Sequence, residues 1–281
     1  MAKAVKKRKR FNFRGSLCIP YSVFMVLFVV FPLLLIFYYA FTDADGNFSI
    51  QNWIDVFTSA DKWKVIGMTF VVSASTTLVC LLIAYPIAYI LSNSKFNKNK
   101  VLVYLFLFPM WINFVIRTMG LKALLNGVTH AMFGWDITAV HPYVSIVIGM
   151  VYDYLPFAIL PLYNQMLKMD KNQIEAAADL GANPFQVFVK NIIPMTVPGI
   201  VSACMMTFMP TMSSYVIAYH MSNGTSSIIG TLIEFYINSG GNNGYNAGSV
   251  LSLVMLLIVG STLLIQKIVD GKNKTEKEQL W

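Results

Sequence analysis

Two side chains of opposite charge stand inside stretches that are otherwise apolar. Arg117 closes the run Phe108-Pro109-Met110-Trp111-Ile112-Asn113-Phe114-Val115-Ile116, and Asp153 lies within Val151-Tyr152-Asp153-Tyr154-Leu155-Pro156. In hydrocarbon an ionised side chain costs roughly 2.5–3.5 kcal/mol, so each needs a partner or a wet cavity. Asp153 has two ways to meet that need. It pairs with Arg117, which neutralises both, or it faces a cavity in which a cation is its counter-ion. Tyr152 and Tyr154 flank it and Trp111 lies one apolar segment earlier; aromatic faces attract alkylammonium groups. Glu234 is a further acid, read either as solvated or as a contact for a passing cation. The residue patterns of bond-making chemistry are absent. There are no paired acids, no His-Glu-x-x-His and no Gly-x-Ser-x-Gly. No Gly-rich loop ends in Lys-Ser/Thr to hold nucleotide phosphates. His130, His141 and His220 stand apart from other ligands, and Cys18, Cys80 and Cys204 have neither metal-site nor disulfide spacing. No catalytic residue, metal ligand or cofactor is assigned to the chain.

These residues are carried by apolar elements. Of 281 residues 56% are apolar and 12% charged, too little polar surface for a soluble domain of this length. The apolar residues gather in six blocks: Leu17–Phe41, Val65–Leu91, Val101–Leu125, Tyr143–Leu167, Met195–Tyr219 and Ala247–Val269. Each meets the roughly 20 residues that a helix needs to cross a bilayer. The runs are continuous rather than alternating, which favours helices over barrel strands. The expectation is an all-α integral membrane protein of six transmembrane helices, with the fourth the most interrupted, by Asp153, Pro156 and Pro161. One domain, residues 17–269, lies between a basic tail at 1–16 and a second tail at 270–281. The basic start followed by an apolar run resembles a signal peptide. The run is too long for one and no small-residue cleavage site follows, so it reads as a retained first helix.

Lys and Arg fix the expected orientation. With the N-terminus in the cytoplasm, one side holds the basic tail, then Lys95, Lys98 and Lys100, then Lys168, Lys171 and Lys190, and finally Lys267, Lys272, Lys274 and Lys277. The other side keeps Lys62, Lys64 and Lys122. This is the positive-inside pattern with both termini cytoplasmic. The net charge of +8 is thereby explained, and with no basic soluble domain a nucleic-acid function is excluded. The outward connections carry Asp43, Asp45, Asp55, Asp61, Asp136 and Glu234. That skew either draws cations to the outer mouth or follows from the depletion of Lys and Arg alone.

The cytoplasmic segment 168–194 contains Asp170-Lys-Asn-Gln173-Ile-Glu175-Ala176-Ala177-Ala178-Asp179-Leu180-Gly181-Ala182-Asn183-Pro184, and ends in Ile192-Ile193-Pro194. Asp170 is suited to cap a helix with Gln173 three positions on, a variant of the capping box. Ile174 to Leu180 reads as a short alanine-rich helix that Gly181 ends in the left-handed conformation. Asn183 caps a second helix with Pro184 at its first position, and Phe185, Phe188 and Ile192 give that helix an apolar face. The result is a rigid helix–turn–helix knob fit for docking a partner.

Glu175-Ala176-Ala177, Gly181 and the terminal Ile-Ile-Pro resemble the EAA loop of ABC importer permeases. The resemblance implies type I importer architecture and a loop that inserts into a groove of an ATP-binding subunit. Glu175 and Gly181 would carry the coupling, with Ala176, Ala177 and Asp179 on the contact surface. Phe108–Lys122, Val151–Tyr163, Leu180-Gly181-Ala182 and Pro194–Ile200 are similar to the permease subunits of spermidine/putrescine importers. Related permeases for sulfate, molybdate, iron(III) and opine-like compounds share the loop. Arg117 is a fixed position of the family pattern and Asp153 is not. The resemblance further implies a bacterial cell membrane with its lipid as surroundings, a second and related permease, two copies of an ATPase that holds the ATP and magnesium, an extracytoplasmic binding protein and a polyamine as cargo.

An ATP-independent channel or secondary transporter would need repeated halves or several intramembrane charges, and Arg117 and Asp153 alone qualify. Met205, Met206, Met209 and Met212 in the fifth block serve either core packing or an adaptable gate.

Overall fold

In the computed structural model the described residues are 18–92, 101–239, 241 and 244–279. The basic tail at 1–16 and the basic connection holding Lys95, Lys98 and Lys100 lie outside them. Twelve helices are used below: α1 Ile19–Ala40, α2 Gln51–Thr58, α3 Ala60–Ser92, α4 Val101–Trp111, α5 Phe114–Phe133, α6 Ile137–Val140, α7 Pro142–Met166, α8 Lys171–Asp179, α9 Pro184–Ser213, α10 Val216–Met221, α11 Ile229–Ser239 and α12 Gly244–Gln279. Five of them, α1, α3, α7, α9 and α12, are long and apolar enough to cross a membrane, and the pair α4–α5 makes a sixth if its two arms are one span.

Prolines shape these helices in two ways. Pro32 in α1 and Pro194 in α9 each follow a π turn, at Val26–Val30 and Phe188–Ile192. A proline lacks the N–H of one i→i−4 bond and its ring crowds the preceding turn; a wider turn relieves both. Pro156 and Pro161 leave α7 continuous through all its 25 residues, so the fourth block is not the interrupted one. The third is. At Pro109 the helix tightens to a 3₁₀ turn, Phe108–Trp111, and Ile112 is extended. Asn113 then accepts from the N–H of Val115 and Ile116, starting α5 at 93° to α4. The fifth block also departs from a single helix: α9 stops at Ser213 and α10 is separate. Gly230, at the start of α11, sits within about a side chain of the Ser213 carbonyl and Tyr215 N–H, so α11 occupies the space a longer α9 would need. The sixth block runs on as helix to Gln279, well into the expected tail at 270–281.

The centre of the bundle is α3, α7 and α9. Small residues at their contacts (Ala84, Ala88, Ala158 and Ala203, all fully buried) let the backbones close, with Ile159, Leu162 and Met166 filling between. In a membrane, where lipid is as apolar as leucine, such close packing is what drives helix association. A second cluster seats α10 against α3 and α7 through Val72, Ile146, Met150, Ile217 and Met221. A third joins α1 and α2 to α12 through Ala40, Val56, Val250 and Leu251. There the Asn246 amide donates to the carbonyls of Tyr39 at 3.1 Å and Thr42 at 2.5 Å, satisfying the end of α1. The outer faces carry Phe24, Phe28, Leu34, Phe70, Leu78, Leu82 and Leu257, all exposed, as a lipid-facing surface requires.

Gly199 is where α9 meets α7 most tightly: a Cβ there would lie 2.6 Å from Gln165 Cβ and 3.3 Å from the Pro161 carbonyl, whereas a Cβ at Gly67 meets nothing within 4 Å. Gly199→Leu therefore lowers the unfolding midpoint of the detergent-purified chain, by about 1–3 kcal/mol of overpacking, and Gly67→Leu leaves it unchanged in the same thermal scan.

Candidate functional site

The knob stands as the local sequence dictates. Asp170 caps α8 by accepting from Asn172 N–H at 3.0 Å; the reciprocal box expected with Gln173 forms instead one helix later. There Asn183 Oδ1 accepts from Gln186 N–H at 2.8 Å and Gln186 Oε1 accepts from Asn183 N–H at 3.1 Å, with Pro184 at the first helical position. Between the helices Gly181 takes φ +87°. Its N–H donates to Ala178 O at 2.9 Å and Ala182 N–H to Ala177 O at 3.1 Å, the paired bonds of a Schellman turn. A residue with a Cβ pays roughly 1–2 kcal/mol for that backbone conformation.

Glu175, Ala176, Asp179 and Gly181 are exposed and Ala177 is half-buried. Two apolar side chains stand open beside them: Phe185, 75% exposed, from the apolar face expected of the second helix, and Leu180, 89% exposed, which is not among the contact residues expected from the sequence. An apolar residue wedged between an acid and a helix-ending glycine is the signal that marks Leu180. Phe188 turns the other way and packs edge-on against Tyr85 and Tyr89 of α3, with ring centroids at 5.8 and 6.0 Å. Tyr85 Oη is 2.8 Å from Thr196 Oγ1 in α9. The knob is thus short-coupled to the central helices on both sides: α7 enters it and α9 leaves it.

Arg117 and Asp153 meet inside the bundle. Arg117 Nε donates to Asp153 Oδ1 at 2.5 Å, and their side chains are 7% and 2% exposed. Thr118 Oγ1 donates to Asp153 Oδ2 at 2.7 Å. The guanidinium also donates through Nη1 to Pro109 O at 2.7 Å and lies over the Tyr152 ring at 5.5 Å. Of the two arrangements open to Asp153, the structure holds the ion pair. Each member is explained by the elbow between α4 and α5. At the 3₁₀ turn the Pro109 carbonyl accepts from Ile112 N–H at 3.2 Å, and its second lone pair is open to another donor. Arg117, one turn into α5, takes that second position and so bridges the two arms of the elbow, and Asp153 supplies the compensating charge from the middle of α7. Thr118 and the Pro109 carbonyl were invisible from sequence because their roles exist only once the chain bends.

Tyr154 joins Arg117 and Asp153 around a cavity of about 270 Å³ whose other walls include Met110, Phe114 and Phe157. Trp111 does not line it; it stands at the elbow 83% exposed, its ring 5.8 Å from that of Phe108. Glu234 is on α11, away from both. Ile229 N–H, at the start of α11, donates to Thr69 Oγ1 near the start of α3, whereas the knob packs at Tyr85–Tyr89 near its far end. Glu234 and the knob therefore occupy opposite ends of the bundle. Among the described residues no three His, Cys, Asp or Glu side chains gather as a metal site.

The pair carries a stability prediction. Asp153→Asn or Arg117→Met alone strands a buried charge and destabilises the chain by about 3–5 kcal/mol. The double variant Arg117→Met/Asp153→Leu recovers part of that loss, though not the Pro109 carbonyl bond. A double-mutant cycle by denaturant unfolding in detergent reads the coupling directly.

The family model for the binding-protein-dependent transport system inner membrane component matches residues 5–275. A spermidine/putrescine transport system permease protein PotB from Haemophilus influenzae is 31% identical over 268 residues, covering 90% of this chain and 93% of the relative. The protein of the same name from Escherichia coli is 30% identical over 256 residues, covering 86% and 92%. Among solved structures, a chain of a bacterial alginate ABC transporter in complex with a pentasaccharide-bound periplasmic protein superposes with a TM-score of 0.68 at 14% identity, covering 90% of this chain and 92% of that one; this speaks for the shared fold. The knob, the central helices and the matched length converge: the chain belongs to the binding-protein-dependent transport system inner membrane components, the multi-pass permease subunits of ABC importers.

Proposed function

We propose that this chain forms part of the translocation pathway of an ATP-driven importer of polyamines such as spermidine or putrescine. The observation that carries the importer reading is the knob, a doubly capped helix–turn–helix with Glu175 and Ala176 exposed on it and Leu180 and Phe185 offered to a partner. A rigid, partly apolar projection at one end of the bundle suits a groove on a separate ATPase, which binds the ATP and magnesium and hydrolyses the nucleotide. The chain works beside a second, related permease, with two ATPase copies below and an extracytoplasmic binding protein above. Lys168 and Lys190 beside the knob agree with a cytoplasmic knob and cytoplasmic termini. The cargo reading rests on relatives about 30% identical that carry polyamine names, and on the acids at the end away from the knob.

Arg117 and Asp153 act in this scheme as the bracket of the elbow rather than as cargo ligands, since both are committed to protein partners. Trp111 and Glu234, outside that bracket, are the candidates that meet cargo. ATP-driven closure of the ATPase pair pulls on the knob, and α7 and α9 carry the displacement into the bundle.

The test is reconstitution in proteoliposomes with both permeases, the ATPase and the binding protein. Spermidine or putrescine stimulates ATP hydrolysis and is taken up. Glu175→Arg cuts both by about tenfold or more, by burying a wrong-sign charge at the docking contact. Uptake driven instead by sulfate, molybdate or an iron(III) complex overturns the cargo and keeps the importer; uptake that proceeds without ATP overturns the importer.

A further inference from the structure

The acids at the end opposite the knob differ in what occupies them. Asp61 is paired with Lys64 at 3.7 Å and Asp136 with His130 at 3.4 Å. Asp43 Oδ1 accepts from Asp45 and Asn47 N–H at 3.0 and 2.8 Å, closing its own turn, and Asp55 accepts from the Gln51 amide at 2.9 Å. Glu234 is set apart by the cavities it borders, while half-burial it shares with Asp43 and Asp136. Its carboxylate accepts from the neutral amide of Asn238 at 2.8 Å. Lys62 is turned elsewhere, donating to Asp55 O at 3.3 Å with its ammonium 5.7 Å from the Tyr236 ring.

Glu234 stands between two cavities. One, of about 300 Å³, has Tyr215 and Asn238 in its wall; the other, of about 340 Å³, has Tyr219 and Phe235. A carboxylate with aromatic side chains in the cavity walls on either side is the chemistry that holds a primary alkylammonium group, by charge-assisted hydrogen bonds and cation–π attraction. The first cavity does not end blindly. Ser213, Ser252 and Met255 line it and also line a third cavity of about 580 Å³ that runs between α9 and α12 past Met209 and Pro210. The two share walls and form one cleft, polar at its Glu234 mouth and apolar further in. One ammonium suits the mouth, while the apolar stretch has no acid in its wall for a second one.

We propose that Glu234 is the first ammonium-binding carboxylate on the entry route, receiving one end of a linear aliphatic polyamine as the binding protein releases it. This rests on the polyamine reading above. Asp153 plays no part in it, because both its oxygens are held by Arg117 and Thr118.

The experiment uses the complete importer in proteoliposomes with saturating spermidine-loaded binding protein, and measures spermidine taken up per ATP hydrolysed. Glu234→Gln is expected to lower that ratio about tenfold, the loss of one charge-assisted contact. Glu234→Asp is expected to stay within about threefold of the parent, because the charge is retained. If uptake and ATP hydrolysis fall together so that the ratio holds, Glu234 serves docking or assembly and the proposal is overturned. An unchanged ratio with full uptake in Glu234→Gln overturns it as well. If the unmodified importer moves no polyamine of any length, the polyamine reading itself fails and takes this site with it, a result distinct from failure of Glu234 alone.

Discussion

Where α4 and α5 meet at 93°, the two arms no longer share one helical hydrogen-bond ladder, and at membrane depth something else must tie them. Arg117 meets that constraint by donating to the Pro109 carbonyl. A lone guanidinium at that depth would itself be expensive, so Asp153 offsets the charge, Thr118 takes the second carboxylate oxygen and the Tyr152 ring lies under the guanidinium. Much of the bundle then follows. The bracket ties α4 and α5 to the midpoint of α7. Because α7 is central, flanked by α3 and α9 through small buried residues, the elbow is fixed relative to the elements that lead into the knob. A charge pair that weighs little as a source of stability is here the device that allows a bent backbone within the membrane.

The knob obeys a different rule. Its shape is set by local chemistry: a carboxylate cap, a glycine at positive φ, a reciprocal box and a proline at the first helical position. None of these needs the rest of the protein. That independence lets the projection keep its form apart from the helices beneath it, and it leaves Leu180 and Phe185 unburied by the chain itself.

The same contrast governs how much was legible from the residues. The caps and the turn of the knob are legible in the residues, with the reciprocal box at Asn183 instead of Asp170; the π turn at Phe188–Ile192 and the inward packing of Phe188 and Ile192 are not. Helix number and the central blocks were legible because unbroken apolar runs report burial in lipid. They do not report backbone direction, so the break after Trp111 and the stop at Ser213 were passed over. Pro109 followed by Asn113 is a helix end followed by a helix cap, a signal that was present in the third block and masked by its hydropathy. The pairing of Arg117 with Asp153 stood as one of two possibilities, since charge arithmetic offers partners but not distances. Thr118 and the Pro109 carbonyl depended on the fold. The cavities beside Glu234 did too, since they arise from where α11 lies against α9 and α12.

The π turn at Phe188–Ile192, between the knob and the membrane part of α9, inserts a surplus residue into the winding. An α-helix advances about 100° per residue, so the azimuth of the knob relative to the span is out of phase by about that angle with what an unbroken α-helix would give. The compass bearing of the docking surface is therefore set by counting, through one extra residue ahead of Pro194, and not only by contacts. Lineages that kept every exposed side chain of the knob but lost that residue would present the same face in a different direction around the bundle. The length of this short stretch belongs to the docking specification as much as the composition of the surface does.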